Sequence, residues 1–328
     1  MAASEPTNTT SLDSLRDSLP KELWFGDTLY LYQGFWCFGV LFDPTVAFQT
    51  HFEAHDTDII LASLPKTGTT WLKSLLYTIV NRQNLPTISQ HILHSKNPHE
   101  LIQHFELEVY RYDHNRPDLA DIPPPRLFAT HVPYPSLPDS IKTSKCRIVY
   151  VSRNPLDTFV SLWHFFLQFD RIKGTEANAE LMEEHLSKYC KGICPFGPHE
   201  DHLLGYWKET QKNPQKVLFL EYEGLKKDPK GHLKKLAEFV GYPFSKEEEE
   251  NNVIDDIIDI CSLKSLKDME INKTGHVFPE VENKFLFRKG EVGNWTNDLT
   301  PSMAKQFDQM LKKIKDAGFC STYYPMDV

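Results

Sequence analysis

Short apolar runs alternate with longer amphipathic ones through most of this chain, after a Ser/Thr/Asp-rich start that lasts to about residue 20. Asp58-Ile59-Ile60-Leu61-Ala62-Ser63-Leu64 is almost continuously apolar, the pattern of a strand covered on both faces. Trp71-Leu72-Lys73-Ser74-Leu75-Leu76-Tyr77 places its apolar residues at helical spacing instead. Residues 127–130, 146–151 and 217–220 read as further short strands, and 69–82, 155–170, 200–211 and 224–240 as helices. This alternation predicts an α/β fold, with a central parallel sheet flanked by helices on both faces. Proline-rich stretches at 123–125 and 133–135 mark loops. The run from Lys246 to Glu250 reads as a solvated helix start.

An aromatic cluster follows the polar start: Trp24, Phe25, Tyr30, Tyr32, Phe35, Trp36 and Phe38. It suits core packing, or a wall for a flat apolar ligand, and the two are compatible. At 328 residues the chain is slightly above the size at which single cores stop growing. Residues 21–328 are expected to form a single domain behind a flexible tail of residues 1–20. A net charge of −9 offers no basic face for nucleic acid. It still allows a local basic pocket. The first residues lack the basic and apolar regions of a signal peptide, and no apolar run has membrane-spanning length. The six cysteines are scattered, without the density of a disulfide scaffold. A cytoplasmic protein with no membrane or nucleic-acid partner is expected. The N-x-[ST] triplets at Asn8, Asn272 and Asn294 read as chance matches.

Between the first strand and its helix lies Lys66-Thr67-Gly68-Thr69-Thr70-Trp71. The first amides of a helix lack internal partners, and the helix dipole favours negative charge there. Gly68 lets backbone approach a phosphate, Lys66 adds a cation, and the threonines add hydroxyl donors. The order is not that of a Walker A loop, in which Lys follows the second Gly. Arg153 follows the strand 146–151. Asn154 can cap the next helix, with Pro155 at its first position and Asp157 near its third. Ser161 lies two turns on, where it could meet one phosphate together with Arg153. Arg288-Lys289-Gly290-Glu291-Val292-Gly293-Asn294-Trp295 forms a third basic, glycine-containing loop. Three such loops in an acidic protein suggest a nucleotide with phosphates at both ends. His131 ends the strand 127–130, and strand carboxyl ends line the ligand crevice of an α/β sheet. A neutral His there is a natural general base. Two loose groups, Cys190, Cys194, His199 and His202, and His91, His94, His99 and His104, do not match zinc-finger spacing and read as packed or solvated residues.

Taken in order, P-K-T-G-T-T-W at 65–71, T-H-V-P at 130–133, R-N-P-L-D-T-F-V-S at 153–161, E-Y-E at 221–223 and R-K-G-E-V-G-N-W at 288–295 resemble the soluble, cytosolic sulfotransferases, in phrasing closest to the plant branch. The resemblance spans roughly residues 22–320. It implies a P-loop-like sulfotransferase fold and 3′-phosphoadenosine 5′-phosphosulfate (PAPS) as donor, with no metal. It implies that Lys66, Thr67, Gly68, Thr69 and Thr70 cradle the 5′-phosphosulfate. Arg153, Ser161, Arg288, Lys289 and Gly290 would hold the 3′-phosphate, and Trp71 and Tyr222 the adenine region. His131 would take the proton of the acceptor hydroxyl while Lys66 stabilises the leaving oxygen. The acceptor would be small and mostly apolar: a flavonoid, another phenolic, a steroid or a hydroxylated hormone. His164, Phe165 and Phe166 would help the aromatic run to shape its pocket.

Three positions depart from the family pattern. Ala129 stands where animal members carry Lys, Leu263 where many relatives have an adenine-stacking Phe, and Asn294 where Asp is usual. The family's C-terminal dimer motif is not evident in 300–328, so a monomer or weak homodimer is expected. The residues alone also leave room for a P-loop small-molecule kinase or a non-catalytic nucleotide sensor. A kinase needs a Lys after the second Gly, which is missing.

Overall fold

The structure, a computed structural model, describes residues 9–84, 91–112, 117–168, 178–278 and 281–325. Near the N-terminus lies a three-stranded antiparallel sheet of β1 (Lys21–Trp24), β2 (Asp27–Tyr32) and β3 (Phe35–Phe38). The aromatic cluster is therefore strand, not merely packing. Its turns carry left-handed residues, Phe25-Gly26 and Gln33-Gly34, the geometry of tight two-residue hairpins. Thr9–Ser18, within the stretch read as a tail, is helical, and Arg16 approaches Asp43 at 3.7 Å.

The centre of the molecule is a five-stranded sheet of β4 (Ile59–Ser63), β5 (Gln103–His104), β6 (Leu127–Thr130), β7 (Arg147–Ser152) and β8 (Val217–Glu221). Its order is β5-β6-β4-β7-β8, and every pairing is parallel. Successive residues of β4 serve opposite faces, as the pleat requires. Ile59 and Leu61 pack with Leu72, Leu75, Leu76 and Ile79 of the helix Thr69–Asn81. Ile60 and Ala62 pack on the other side with Phe48, Phe52 and Tyr206. Burial on both faces explains the uninterrupted apolar runs.

The stretch read as a helix over 224–240 is two helices, Tyr222–Lys227 and Pro229–Val240. Pro229 cannot continue a helix but suits a first helical position, and the Asp228 side chain caps the new start by accepting from Gly231 N at 3.0 Å. The helix after β7 runs over Pro155–Phe166, and residues 169–170 of the expected span lie outside the described residues. Asn8 does too, whereas Asn272 and Asn294 are buried. All six cysteines are free thiols. No helix among the described residues is long and apolar enough to cross a membrane.

Candidate active site

The strand order reverses around β4, and ligands of open α/β sheets bind at such switch points, beyond the strand carboxyl ends. After β4 the chain turns through two left-handed residues, Lys66 at φ 70° and Gly68 at φ 113°. A Cβ on Gly68 would stand 2.7 Å from Tyr222 Cδ2, so glycine is what lets this backbone close against the ring. Lysine has no such freedom, and holding it left-handed costs on the order of 1 kcal/mol, strain that concentrates at functional sites. Lys66 Nζ stands 4.1 Å over the Phe165 ring. Thr67 is spent on the loop itself: its buried hydroxyl is 2.8 Å from Leu64 O and 3.2 Å from Val151 O. Thr69 Oγ1 meets Ser63 Oγ at 2.7 Å, and Thr70 Oγ1 meets His99 Nε2 at 3.0 Å.

Arg153 enters from the end of β7. Its Nη2 donates to Glu291 O at 2.7 Å, while its buried Nε has no partner among the described residues. The guanidinium stands 4.7 Å over the Tyr222 ring. Tyr222 in turn donates to Gly290 O at 2.8 Å and meets Trp71 edge-on at 5.6 Å. Lys66, Gly68, Thr69, Thr70, Trp71, Arg153, Ser161, Tyr222, Arg288 and Gly290 all line one cavity of about 1010 Å³. Thr67 and Lys289 are not brought to it, and Lys289 is exposed.

Asp157 is the residue that sequence reasoning undervalued, reading it only as part of a helix start. Its buried carboxylate accepts from Gly293 N at 2.8 Å, Trp295 N at 3.0 Å and Asn154 Nδ2 at 2.9 Å, and lies 3.6 Å from Arg153 Nη2. It thereby ties the Arg288 loop to the start of the helix after β7. Asn294 also earns its place: Oδ1 accepts from Arg288 Nη1 at 3.2 Å while Nδ2 donates to Glu291 Oε2 at 3.0 Å. An aspartate could not donate to that carboxylate. Leu263 lines the cavity where a Cβ on Gly290 would meet its Cδ2 at 2.6 Å.

The cations set the electrostatics. Burial, then Arg288 and Arg153, push Lys66 down to about 7. Lys66, Arg153 and Arg288 share this cavity, Arg153 with an orphaned guanidinium nitrogen, and together they fit a polyanion.

His131 lines the same cavity from the end of β6. Its Nδ1 is 2.6 Å from Ser63 O. A carbonyl only accepts, so Nδ1 carries the proton and Nε2 keeps a lone pair. Glu106 fixes the backbone by accepting from His131 N at 2.6 Å and from Thr130 Oγ1 at 3.0 Å. Burial lowers the imidazole to about 3, so it is neutral. The same cavity is also lined by Tyr30, Phe38, Leu107, Phe165, Phe166 and Phe278. The aromatic cluster thus divides: Tyr30 and Phe38 reach the cavity, while Trp24, Phe25, Phe35 and Trp36 are buried core. His164 lies off the cavity, paired with Asp298 at 2.6 Å.

The Cys/His groups are packed except for His94, which is exposed. His199 Nδ1 meets Tyr189 Oη at 2.6 Å, and His202 bridges Tyr150 Oη at 3.0 Å and His131 O at 2.9 Å. His99, His104 and Glu108 bring ligand-type atoms within 4.8 Å of one another. The Lys73 ammonium, 3.2 Å from His99 Nδ1 and 2.9 Å from His104 Nδ1, already stands there.

A five-stranded parallel sheet with a Lys-Gly-Thr loop, an Arg/Ser pair and a third basic loop around one crevice defines a nucleotide-dependent group-transfer enzyme. The family described as Sulfotransferase domain matches residues 56–318, and the chain belongs to it. Cytosolic sulfotransferase 15 of Arabidopsis thaliana is 43% identical over 299 residues, covering 90% of this chain and 82% of that protein. Cytosolic sulfotransferase 5 of the same plant is 44% identical over 309 residues, covering 93% and 94%. Among solved structures, mouse sulfotransferase SULT7A1 complexed with PAP matches with a TM-score of 0.66 at 28% identity, covering 88% of this chain and 95% of that one. The protein is a PAPS-dependent sulfotransferase.

Proposed function

We propose that the enzyme transfers the sulfuryl group to a hydroxyl of a small, mostly apolar acceptor, directly and in line, with His131 as general base. The acceptor O–S bond forms as the S–O bond to the donor's 5′-phosphate breaks, and the hydroxyl proton passes to His131 Nε2. Lys66 offsets charge on the leaving oxygen, assisted by Thr69, Thr70 and the helix start. Arg153, Ser161, Arg288 and Gly290 hold the 3′-phosphate, and Trp71 and Tyr222 face the adenine. Lys289 is assigned to that phosphate by resemblance alone. The observation that carries the reading is the shared cavity: His131, its Nδ1 held on Ser63 O, lines the same space as Lys66, Arg153 and Arg288, together with Tyr30, Phe38, Phe165 and Phe166. Free thiols and the relatives' names support a cytoplasmic location; the reading of a monomer or weak homodimer rests only on the dimer motif not evident in 300–328.

The test is a panel of flavonoid, phenolic, steroid and hydroxylated-hormone acceptors with sulfur-labelled PAPS, alongside calorimetric titration with PAP and with ATP and Mg²⁺. Labelled product from an apolar hydroxyl compound, and binding of PAP in preference to ATP, are expected. Transfer to polar acceptors alone would overturn the acceptor class.

A pH effect accompanies this assignment. Lys66 titrates near 7 in the free enzyme because burial and two guanidinium groups oppose its charge. A bound polyanion reverses that and raises it. At pH 8 the free amine is largely neutral and the bound one charged, so binding takes up to about one proton, and affinity falls as pH rises above 7. The ligand's phosphates, with second pKa values of about 6, are already ionised at pH 8. Calorimetry in buffers of different ionisation enthalpy measures the uptake. Equal uptake in Lys66→Met would assign the proton elsewhere.

A further inference from the structure

Lys73 is fully buried one turn beyond the phosphate loop. Its hydrogen-bonding contacts among the described residues are two imidazole nitrogens, His99 Nδ1 at 3.2 Å and His104 Nδ1 at 2.9 Å. An ammonium has donors only, so both Nδ1 atoms accept, and both rings carry their proton on Nε2. Burial first, then Lys73, hold both imidazoles well below the usual histidine range, so they are neutral. Glu108 does not reverse this. Its Oε2 is 3.5 Å from His104 Nδ1, farther than the ammonium, and accepts from His104 N at 2.7 Å.

The two Nε2–H groups differ in their partners. That of His99 reaches Thr70 Oγ1 at 3.0 Å, so the threonine accepts there and its own proton is left for the cavity. That of His104 is buried and has no partner among the described residues. Both rings line the cavity, and the His104 ring lies 4.4 Å from that of His131, centroid to centroid. In the sheet, His104 on β5 pairs with Ala129 on β6, two residues before His131. Ala129 offers no side-chain donor, and the neighbouring strand places one at the same level.

We propose that Lys73 is a positioning residue that fixes His99 and His104 as Nε2–H tautomers, and that His104 donates this N–H to an oxygen of the sulfuryl group during transfer. His131, held in the opposite tautomer by Ser63 O, accepts a proton where His104 donates one. The proposal rests on the sulfuryl-transfer reading for its catalytic half, while its tautomers stand independently of any activity.

Nitrogen-15 NMR of histidine-labelled protein reads the tautomers directly. His99 and His104 are expected with Nδ1 unprotonated and Nε2 protonated, and Lys73→Met is expected to lose that fixed pattern. Protonated Nδ1 in the unaltered protein would overturn the proposal. In kinetics, His104→Phe is expected to lower kcat on the order of 100-fold, with PAP affinity and donor KM nearly unchanged, and His104→Gln, which keeps an N–H donor, to recover much of the loss. A folded His104→Phe with unaltered kcat would also overturn it. If the unaltered enzyme sulfates no acceptor while the tautomers are as stated, the transfer reading has failed and the Lys73 assignment has not.

Discussion

His131→Ala is expected to bind PAP almost as well as the unaltered enzyme and to lose turnover by about 10²–10⁴-fold, the usual worth of a positioned general base. The imidazole does not belong to the phosphate cradle. It is anchored by its own Nδ1 on Ser63 O and by its backbone on Glu106. Alanine removes the Nε2 lone pair that the proposed mechanism uses and leaves Lys66, Arg153 and Arg288 in place. Because burial holds the free imidazole at about 3, it is already deprotonated at pH 5. No acid limb from His131 is expected in kcat/KM between pH 5 and 8, since that profile reports the free enzyme. Such a weak base gains strength only when negative charge arrives beside it, which the donor's sulfuryl and phosphate groups supply. Steady-state kinetics with calorimetry of PAP separates the outcomes. Parallel loss of turnover and PAP affinity would show that His131 supports the site's structure instead.

Much of this candidate site is legible in the sequence because its residues follow strand ends. β4, β6, β7 and β8 are short apolar runs, and the residues just beyond them are Lys66, His131, Arg153 and Tyr222. A reader who finds a two-faced buried strand has also found a crevice residue. What escaped was set by tertiary contact. β5 is two residues long and carries no periodicity, so the pairing of His104 with Ala129 could not be read. Lys73 looks like an ordinary polar position in its helix. Its burial follows from two histidines about thirty residues on, in a stretch that reads as a loose His cluster. Asp157 resembles many first-turn acids, and only the fold brings the amides of Gly293 and Trp295 to it. The hairpins were readable in principle: Phe25-Gly26 and Gln33-Gly34 punctuate alternating runs in the manner of two-residue turns. The density of aromatic residues there obscured the period.

Arg126→Met is expected to destabilise the fold by about 3–5 kcal/mol, a large share of the roughly 5–15 kcal/mol that holds a typical domain together. Arg126 and Asp58 are both buried where β6 and β4 begin, at the end of the sheet opposite the site. Two parallel bonds join them, Nε to Oδ1 at 2.8 Å and Nη2 to Oδ2 at 2.6 Å. The guanidinium also donates to Glu53 O at 3.0 Å, between the rings of Phe52 and Phe128. Methionine fills much of the same volume, so the loss is electrostatic rather than a cavity. It strands a carboxylate that retains the His55 amide at 2.8 Å and no cation within reach among the described residues. Desolvating a charge without its partner costs more than the pair contributes when intact. The double variant Asp58→Asn with Arg126→Met, which removes the stranded charge, is therefore expected to regain most of the stability. Denaturant titrations of the single and double variants measure both. If the double variant is as unstable as Arg126→Met alone, the arginine acts through packing and its carbonyl contact, and the stranded charge is not the cause.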